Sequence, residues 1–137
     1  MPRAKRFFIP GYAWHLTHRC HGNDFLLKFA KDRDAWKRWL FEARKRFGLD
    51  ILDYKIMSNH IHLAVWGKDD LTAIPRGMQL LAGRTAQEYN SRKKRNGAFW
   101  ENRYHVSAIE TGTQLRRCLL YIDMNPVRVG MVRHPTD

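Results

Sequence analysis

Two histidines separated by one residue, His60 and His62, are the residues of this sequence with the clearest chemical potential. They lie in the run HIHLAVW, in which Ile61 and Leu63 alternate with them as on a half-buried strand. On a strand, residues i and i+2 point to the same face, about 6–7 Å apart, so both imidazoles can approach one divalent cation. Neutral imidazole is the commonest protein ligand for such metals. Two strand histidines that face solvent would show the same spacing.

Tyr121 and Asn125 form a second pair, four residues apart in the segment YIDMN. Residues at this spacing share one face of a helix, so a phenol and an amide oxygen can be presented together. A phenol has a pKa of about 10 and is a poor nucleophile at neutral pH without help from a metal or a base. A cation held by two imidazoles and an amide oxygen could polarise a phosphodiester that the phenolate attacks. A packing tyrosine followed by an asparagine at a helix end is the alternative.

The segments around these residues predict an α+β fold in the order β-α-β-β-α-β, followed by a helix that carries the tyrosine. This order is the split βαβ arrangement of ferredoxin-like folds, an antiparallel four-stranded sheet with helices on one face. The other face is left available for a site. The predicted strands cover residues 12–19, 50–57, 60–66 and 104–110; the predicted helices run from Asp32 or Asp34 to Phe47, from Leu71 to about Asn90, and from Thr111 or Thr113 to Asn125, where Pro126 should end the helix.

Composition predicts one basic domain over residues 1–137. The chain has 25 Lys and Arg against 13 Asp and Glu, a formal net charge of +12, and a sequence pI near 10.2. An anionic partner follows, and nucleic acid is favoured over a membrane surface or an acidic protein. No apolar run approaches the roughly 20 residues of a membrane span, and the two distant cysteines fit a reducing compartment, so a cytoplasmic protein is expected.

Basic residues beside aromatic ones are candidates for contacts with a nucleic acid strand. Cations and aromatic rings together suit single strands, because backbone charge and base stacking are bound at once. The run RKKR precedes Phe99 and Trp100, and the N-terminal cations flank Phe7 and Phe8. Arg116, Arg117 and Arg128 flank Tyr121 in sequence. The predicted DNA-binding residues are Arg3, Lys5, Arg6, Arg92, Lys93, Lys94, Arg95, Arg117 and Arg128.

Four stretches of the chain resemble successive blocks of the REP-associated tyrosine transposases, which are single-tyrosine HUH endonucleases. These stretches are RFFIPGYAWHLTHRCHGND, YKIMSNHIHLAVW, NGAFWENRYHVSAIE and YIDMNPVRVGMV. The resemblance implies that His60, His62 and Asn125 bind Mg²⁺ or Mn²⁺, and that Tyr121 attacks to form a 5′-phosphotyrosine. It also implies action on single-stranded DNA beside palindromic hairpins, with no small-molecule cofactor. Ser58 stands where the family commonly has proline.

Three questions stay open at the level of sequence. A module that binds structured single-stranded DNA or RNA without cleaving it would share the basic charge. A metal hydrolase would need a carboxylate base, for which Asp53, Glu110 and Asp123 are candidates. The short segment from Gly112 to Gln114 favours a monomer whose tyrosine acts in its own chain, although a dimer that exchanges this helix is possible. Among the other histidines, His15 and His105 lie on predicted strands and are the strongest candidates for a role at a site.

Overall fold

A four-stranded sheet and three α-helices make up the chain in a computed structural model, which describes residues 11–67, 70, 72–109 and 112–128, with side chains as far as residue 123. A short 3-10 turn, His21–Asn23, follows the first strand. The elements in chain order are β1 (Ala13–Arg19), α1 (Ala30–Phe47), β2 (Asp50–Ile56), β3 (His60–Trp66), α2 (Ala73–Lys93), β4 (His105–Ile109) and α3 (Gly112–Arg128).

The strand order in the sheet is β2-β3-β1-β4, and every neighbouring pair is antiparallel. This topology is the predicted ferredoxin-like split βαβ arrangement, so the predicted fold class is confirmed. The β2–β3 connection is the predicted tight hairpin, in which the N–H of Met57 donates to the carbonyl of His60 at 2.8 Å. The central strands β3 and β1 therefore carry both the histidine pair and the predicted first strand.

Helices α1 and α2 pack against each other and cover one face of the sheet. Their apolar stripes meet every second residue of the central strands, as alternation along a strand requires. Helix α1 ends at Phe47, as predicted, because the next residue, Gly48, adopts a left-handed conformation with φ of 72° and its N–H bonds to the carbonyl of Arg44. The buried core on this face includes Trp14, Leu16, Ile61, Leu63 and Val65 from the strands and Trp36, Leu40, Met78 and Leu81 from the helices.

The predicted start of α1 was wrong. The helix begins at Ala30, with Phe29 as its N-terminal cap residue, whose carbonyl accepts the N–H of Asp32 at 3.0 Å. Asp32 lies inside the first turn, where its buried carboxylate binds the guanidinium of Arg92 at 2.8 Å. The carboxylate therefore joins the N-terminal end of α1 to the C-terminal end of α2 and does not cap a helix.

Helix α2 accommodates Pro75 in its first turn and continues beyond the predicted end near Asn90 to Lys93. The first part of the basic run, Arg92 and Lys93, is therefore helical, and Lys94 has the left-handed conformation that ends the helix. The predicted end of α3 was also wrong, since the helix passes Pro126 and ends at Arg128. Proline removes a single backbone donor, and losing that one bond near a helix end lets the next residues remain helical.

Helix α3 lies against the second face of the sheet and contacts both edge strands, β2 and β4. Its Ile122 is fully buried, and beneath it the small or apolar residues of paired strands, Ala13, Ala64 and Ile109, are buried as well. This end of the second face is therefore covered, and the opposite end, where β1 finishes and β3 starts, holds the polar residues.

Strand β2 contains one extra residue. Ile51 pairs with Val65 and Asp53 pairs with Ala64, so the register shifts at Leu52 between them. Such a bulge lets two residues separated by one position point to opposite faces. Ile51 packs against the core, whereas Asp53 faces α3.

Two further observations concern the described part of the chain. No helix there is long and apolar enough to cross a membrane. Cys20 is buried, Cys118 is half-buried, and both are free thiols.

Candidate active site

The pairing of β1 with β3 puts a row of polar side chains on the second face of the sheet. Arg19 is the register partner of His60, and Thr17 is the partner of His62. Residues directly opposite each other on paired strands point to the same face. The histidine pair and these two residues therefore face away from Ile61 and the helix-covered core.

Three aromatic rings converge at this end of the face. The ring centroids of His60 and His62 lie 5.1 Å apart, and those of His62 and Tyr121 lie 5.6 Å apart with an interplanar angle of 86°. Tyr121 keeps 43% of its surface exposed, so its phenol borders both the histidine pair and solvent. The structure thus brings together the predicted nucleophile and the predicted metal-binding histidines, which are about sixty residues apart in sequence.

Neighbouring side chains occupy one nitrogen of each histidine. The Nδ1 atom of His60 lies 2.8 Å from Oδ1 of Asn59, and Nδ1 of His62 lies 3.1 Å from Nε2 of His15. An amide oxygen can only accept, so Nδ1 of His60 donates and its lone pair is on Nε2. The rings of His15 and His62 are stacked, with centroids 5.3 Å apart and an angle of 20° between planes.

The surroundings of both predicted histidine ligands favour the neutral form. Burial first, and the positive charges of His60, His15 and Arg19 after it, together lower the pKa of His62 from 6.5 to about 4. Burial also lowers the pKa of His60, with a second contribution from Arg19. A neutral imidazole can bind a cation without first losing a proton, so these shifts prepare the pair for metal binding near neutral pH.

A pair of carboxyl groups lies between β2 and α3. The side chains of Asp53 and Asp123 share a hydrogen bond, which requires a proton on one of them. Burial first, and this bond second, raise the pKa of Asp53 from 3.8 to about 6. Asp123 is two residues beyond Tyr121, so the pair helps fix the helix that presents the tyrosine. Within the described ranges, no three His, Cys, Asp or Glu side chains form a group that could hold a metal ion.

Several predicted site residues lie outside the described part of the chain. These are Arg3, Lys5, Arg6 and Glu110 entirely, and Asn125 and Arg128 with respect to their side chains. The backbone of α3 is helical over residues 121–125, which keeps Asn125 one turn beyond Tyr121. Arg117 is exposed one turn before the tyrosine on the same helix.

The basic run before Gly97 divides into two kinds of residue. Arg92 binds the buried Asp32, and Arg95 donates to Oδ1 of Asn90 and to the carbonyl of Ala98, both at 2.9 Å. Lys93 and Lys94 are exposed.

The aromatic partners predicted for this run were wrong. Phe99 is buried in the core. Trp100 stacks on His18 with ring centroids 4.1 Å apart and donates its indole N–H to the carbonyl of Ala82. Both rings are therefore engaged in packing that sequence proximity to the basic run did not reveal.

Sequence reasoning missed two neighbours of the histidine pair and pointed to a third. Arg19 and Asn59 were not predicted, although Arg19 lowers the pKa of both histidines and Asn59 orients His60. His15 was singled out among the remaining histidines, and its ring does lie against His62. Alternation along β1 places His15 and Arg19 on one face, but only the register with β3 shows that this is the face of the site.

The chain belongs to the family of IS200-like transposases, enzymes that nick and rejoin DNA, since the model of that family, "Transposase IS200 like", matches residues 11–125. The fold is similar to that of the REP-associated tyrosine transposase bound to a REP hairpin, with a TM-score of 0.74 and 19% identity, over all of this chain and 79% of that one. It is also similar to a candidate transposase from Deinococcus radiodurans R1, with a TM-score of 0.59 and 20% identity, over 85% of this chain and 92% of that one. No protein with a curated description matches the sequence.

Proposed function

We propose that this IS200-like transposase is a metal-dependent, single-tyrosine enzyme that cuts and rejoins single-stranded DNA beside a palindromic hairpin. The observation that carries this proposal is the contact between the Tyr121 ring and His62, next to His60, on the open end of the sheet. A phenol that can become the nucleophile and two neutral imidazoles that can bind a metal ion are the groups that metal-assisted attack on a phosphodiester needs.

The donor set fits Mg²⁺ or Mn²⁺ bound by His60, His62 and the side-chain oxygen of Asn125. The hydrogen bond that Nδ1 of His60 donates to Asn59 leaves Nε2 of His60 as its ligating atom, and the hydrogen bond between Nδ1 of His62 and His15 orients the second ring, in the manner of supporting residues around metal-binding histidines. Asn125 follows Tyr121 by one helical turn, which suits a third ligand on the same side of α3. When bound, such a cation would polarise the scissile phosphate and stabilise the negative charge that develops on it.

Tyr121 supplies the nucleophile. Its phenol oxygen attacks phosphorus, the bond from phosphorus to the 3′-oxygen breaks, and the DNA is left with a 5′-phosphotyrosine and a free 3′-hydroxyl. The phenol loses one proton and the leaving 3′-oxygen takes one up, so the step neither releases nor consumes a proton. Because the phosphodiester energy is kept in the new bond, a second 3′-hydroxyl can reverse the step and join strands without ATP.

The positive charge of the chain supports binding of the DNA backbone. Arg117, one turn before the tyrosine, and Arg19, opposite His60, are placed to contact phosphates next to the scissile bond. Exposed Lys93 and Lys94 remain candidates farther away, whereas Arg92 and Arg95 already bind groups within the protein. The remaining predicted contacts are Arg3, Lys5, Arg6 and Arg128. A hairpin partner is supported by the similar REP-associated transposase, which is bound to one.

We further propose that the chain is one domain and acts as a monomer. Tyr121 reaches His62 of its own chain, which supports a tyrosine that acts in cis. Sedimentation without DNA should give the mass of one chain, and with a hairpin oligonucleotide the mass of one chain plus one hairpin.

The experiment that tests the function is formation of a covalent adduct. The protein is incubated with hairpin oligonucleotides that carry labelled single-stranded flanks, with Mn²⁺ or with EDTA, and resolved on a denaturing gel. We expect an adduct that needs Mn²⁺, disappears in Tyr121→Phe and persists in the matched control Tyr12→Phe. The mechanism is wrong if no flanked hairpin gives an adduct, or if Tyr121→Phe forms it undiminished. A module that only binds DNA would keep its affinity in every variant and form no adduct.

A further inference from the structure

An exposed cluster of rings and lysines lies where α1 starts and α2 ends, and we name it the Phe29 surface: Phe25, Lys28, Phe29 and Lys93. Phe25 is 63% exposed and Phe29 is 57% exposed. The ammonium groups of Lys28 and Lys93 lie 5.6 and 5.4 Å from the centre of the Phe29 ring. Two large apolar side chains this exposed, with cations from two different elements over one ring, are not explained by packing.

The Phe29 surface is held in place by the backbone around it. The guanidinium of Arg33 donates to the carbonyls of Leu27 and Lys28 at 3.2 and 2.5 Å. The carbonyl of Phe29 accepts the N–H groups of both Asp32 and Arg33 at the start of α1. The rings are therefore presented by a fixed loop, which lowers the entropy cost of binding a ligand to them.

The charge of the surface is positive and is not compensated locally. Within the described part of the chain, neither Lys28 nor Lys93 takes part in an ion pair with a carboxylate. The acidic group nearest in sequence on the helix, Asp32, is buried against Arg92. Rings to stack on and cations beside them are the combination that binds the bases and backbone of an unpaired strand.

The loop that carries Phe29 is hydrogen-bonded to the turn before β3, the strand of His60 and His62. The N–H of Leu27 donates to the carbonyl of Ser58 at 2.9 Å, and the amide of Asn59 donates to the carbonyl of Asn23 at 3.4 Å. Leu27 precedes Phe29 by two residues and Ser58 precedes His60 by two. The reach of so short a chain puts Phe29 within about 20 Å of His60, at the same end of the sheet.

We propose that the Phe29 surface binds unpaired nucleotides that adjoin the hairpin, with bases stacked on Phe25 and Phe29 and phosphates beside Lys28 and Lys93. The proposal rests on the proposed function, since it assigns a second contact to the same DNA. It replaces the predicted role of Phe99 and Trp100 as aromatic partners of the basic run with rings from a different part of the chain.

The test measures binding without cleavage, by fluorescence anisotropy in EDTA, for one hairpin with single-stranded extensions and for the same hairpin with blunt ends. Phe29→Ala should weaken binding of the extended DNA about fivefold or more, the loss of one stacked base, and leave blunt DNA unaffected. Phe29→Trp should keep the affinity. The matched control is Phe41→Ala, since Phe41 lies on α1, is 43% exposed and has the guanidinium of Arg44 6.0 Å from its ring.

The second variant set tests the lysines and guards against misfolding. Lys93→Ala should lower both the affinity for extended DNA and its dependence on salt, because one phosphate contact is lost. Phe29→Leu keeps an apolar side chain without a ring and should lose affinity like Phe29→Ala if stacking is the cause. Equal affinities of wild type, Phe29→Ala and Phe29→Leu for extended DNA would overturn the Phe29 surface. Adduct formation by the same preparations reports separately on the proposed function, which would survive that result.

Discussion

The two faces of the central strands carry opposite chemistry, although the same two segments build both. On the face towards α1 and α2 the side chains are buried and, apart from His18, apolar; on the other face, the end that α3 leaves open is polar and adjoins a tyrosine. The alternation is strict at Ile61 and His62, which are adjacent in sequence and point into different layers. Residues that stabilise the fold and residues that can do chemistry therefore alternate along each of the two strands. The first face includes Trp14, Leu16, Ile61, Leu63 and Val65, and the second includes His15, Thr17, Arg19, His60 and His62, with Ala13 and Ala64 at its covered end.

The largest effects are expected from truncating these adjacent residues one at a time. Ile61→Ala should lower the free energy of unfolding by about 2–5 kcal/mol, because a fully buried side chain leaves a cavity. His62→Ala should lower adduct formation about a thousandfold, because the proposed metal site would lose a ligand worth several kcal/mol. Denaturant unfolding and the adduct gel measure the two quantities. The contrast between a stabilising face and a chemical face would be wrong if folded Ile61→Ala forms no adduct, or if His62→Ala is destabilised as much as Ile61→Ala.

The helix layer can be probed through its buried ion pair. Asp32→Ala should lower the free energy of unfolding by about 3 kcal/mol, because Arg92 loses the carboxylate that it binds in a buried position. The matched control is Asp34→Ala on the same helix, whose exposed pair with Lys37 is 3.9 Å long and is worth less than about 1 kcal/mol. Adduct formation at low temperature should be the same in both variants. Equal losses of stability would show that burial of Asp32 contributes nothing.

A smaller effect is expected for His15, which contacts a proposed metal ligand on the second face but is not itself a proposed ligand. His15→Ala removes the partner of Nδ1 of His62, so we expect the Mn²⁺ concentration for half-maximal adduct to rise about 10–100-fold. His15→Asn, which can still bond to His62, should recover part of the loss. His21→Ala, an exposed histidine in the 3-10 turn, serves as the control. An unchanged Mn²⁺ requirement in His15→Ala would show that His15 does not position His62.

The smallest effect is the dependence of stability on pH. The pKa of His62 is about 4 when folded and 6.5 when unfolded. The contribution of His62 to the free energy of unfolding is therefore fully present above pH 6.5 and is lost as the pH falls from 6.5 to about 4. The pKa of Asp53 is shifted the other way, from 3.8 to about 6, so its contribution is lost as the pH rises through its own window. The two slopes oppose each other in the wild type.

Asp53→Asn should therefore make the loss of stability on acidification steeper. The variant keeps a polar side chain opposite Asp123 but removes the opposing titration. Denaturant midpoints between about pH 4 and 6.5 measure the slope, and Asp34→Asn provides a control at an exposed carboxylate. Parallel curves for wild type and Asp53→Asn would contradict the shifted pKa of Asp53.

Local pattern predicted the elements, and long-range pairing decided the rest of the site. The bounds of β3 were predicted correctly, because alternation of Ile61 and Leu63 with the histidines is a property of the strand itself. The contact between His15 and His62 was not, since it depends on which residue of β1 lies opposite β3. The role of Arg92 was also hidden, because its partner Asp32 is sixty residues away in sequence. The meeting of Tyr121 with His62 was expected from the chemistry and from the family resemblance, and no periodicity in the sequence implies it.

The extra residue in β2 has a consequence for insertions and deletions. Because Leu52 is the unpaired member of the bulge, deleting it would leave a regular ladder in which Ile51 still faces the core and Asp53 still faces Asp123. Deleting a residue from the regular part of the ladder would instead move side chains from one layer to the other. The chain can thus lose one residue at position 52 while every neighbouring side chain stays on the face of the sheet that it now occupies.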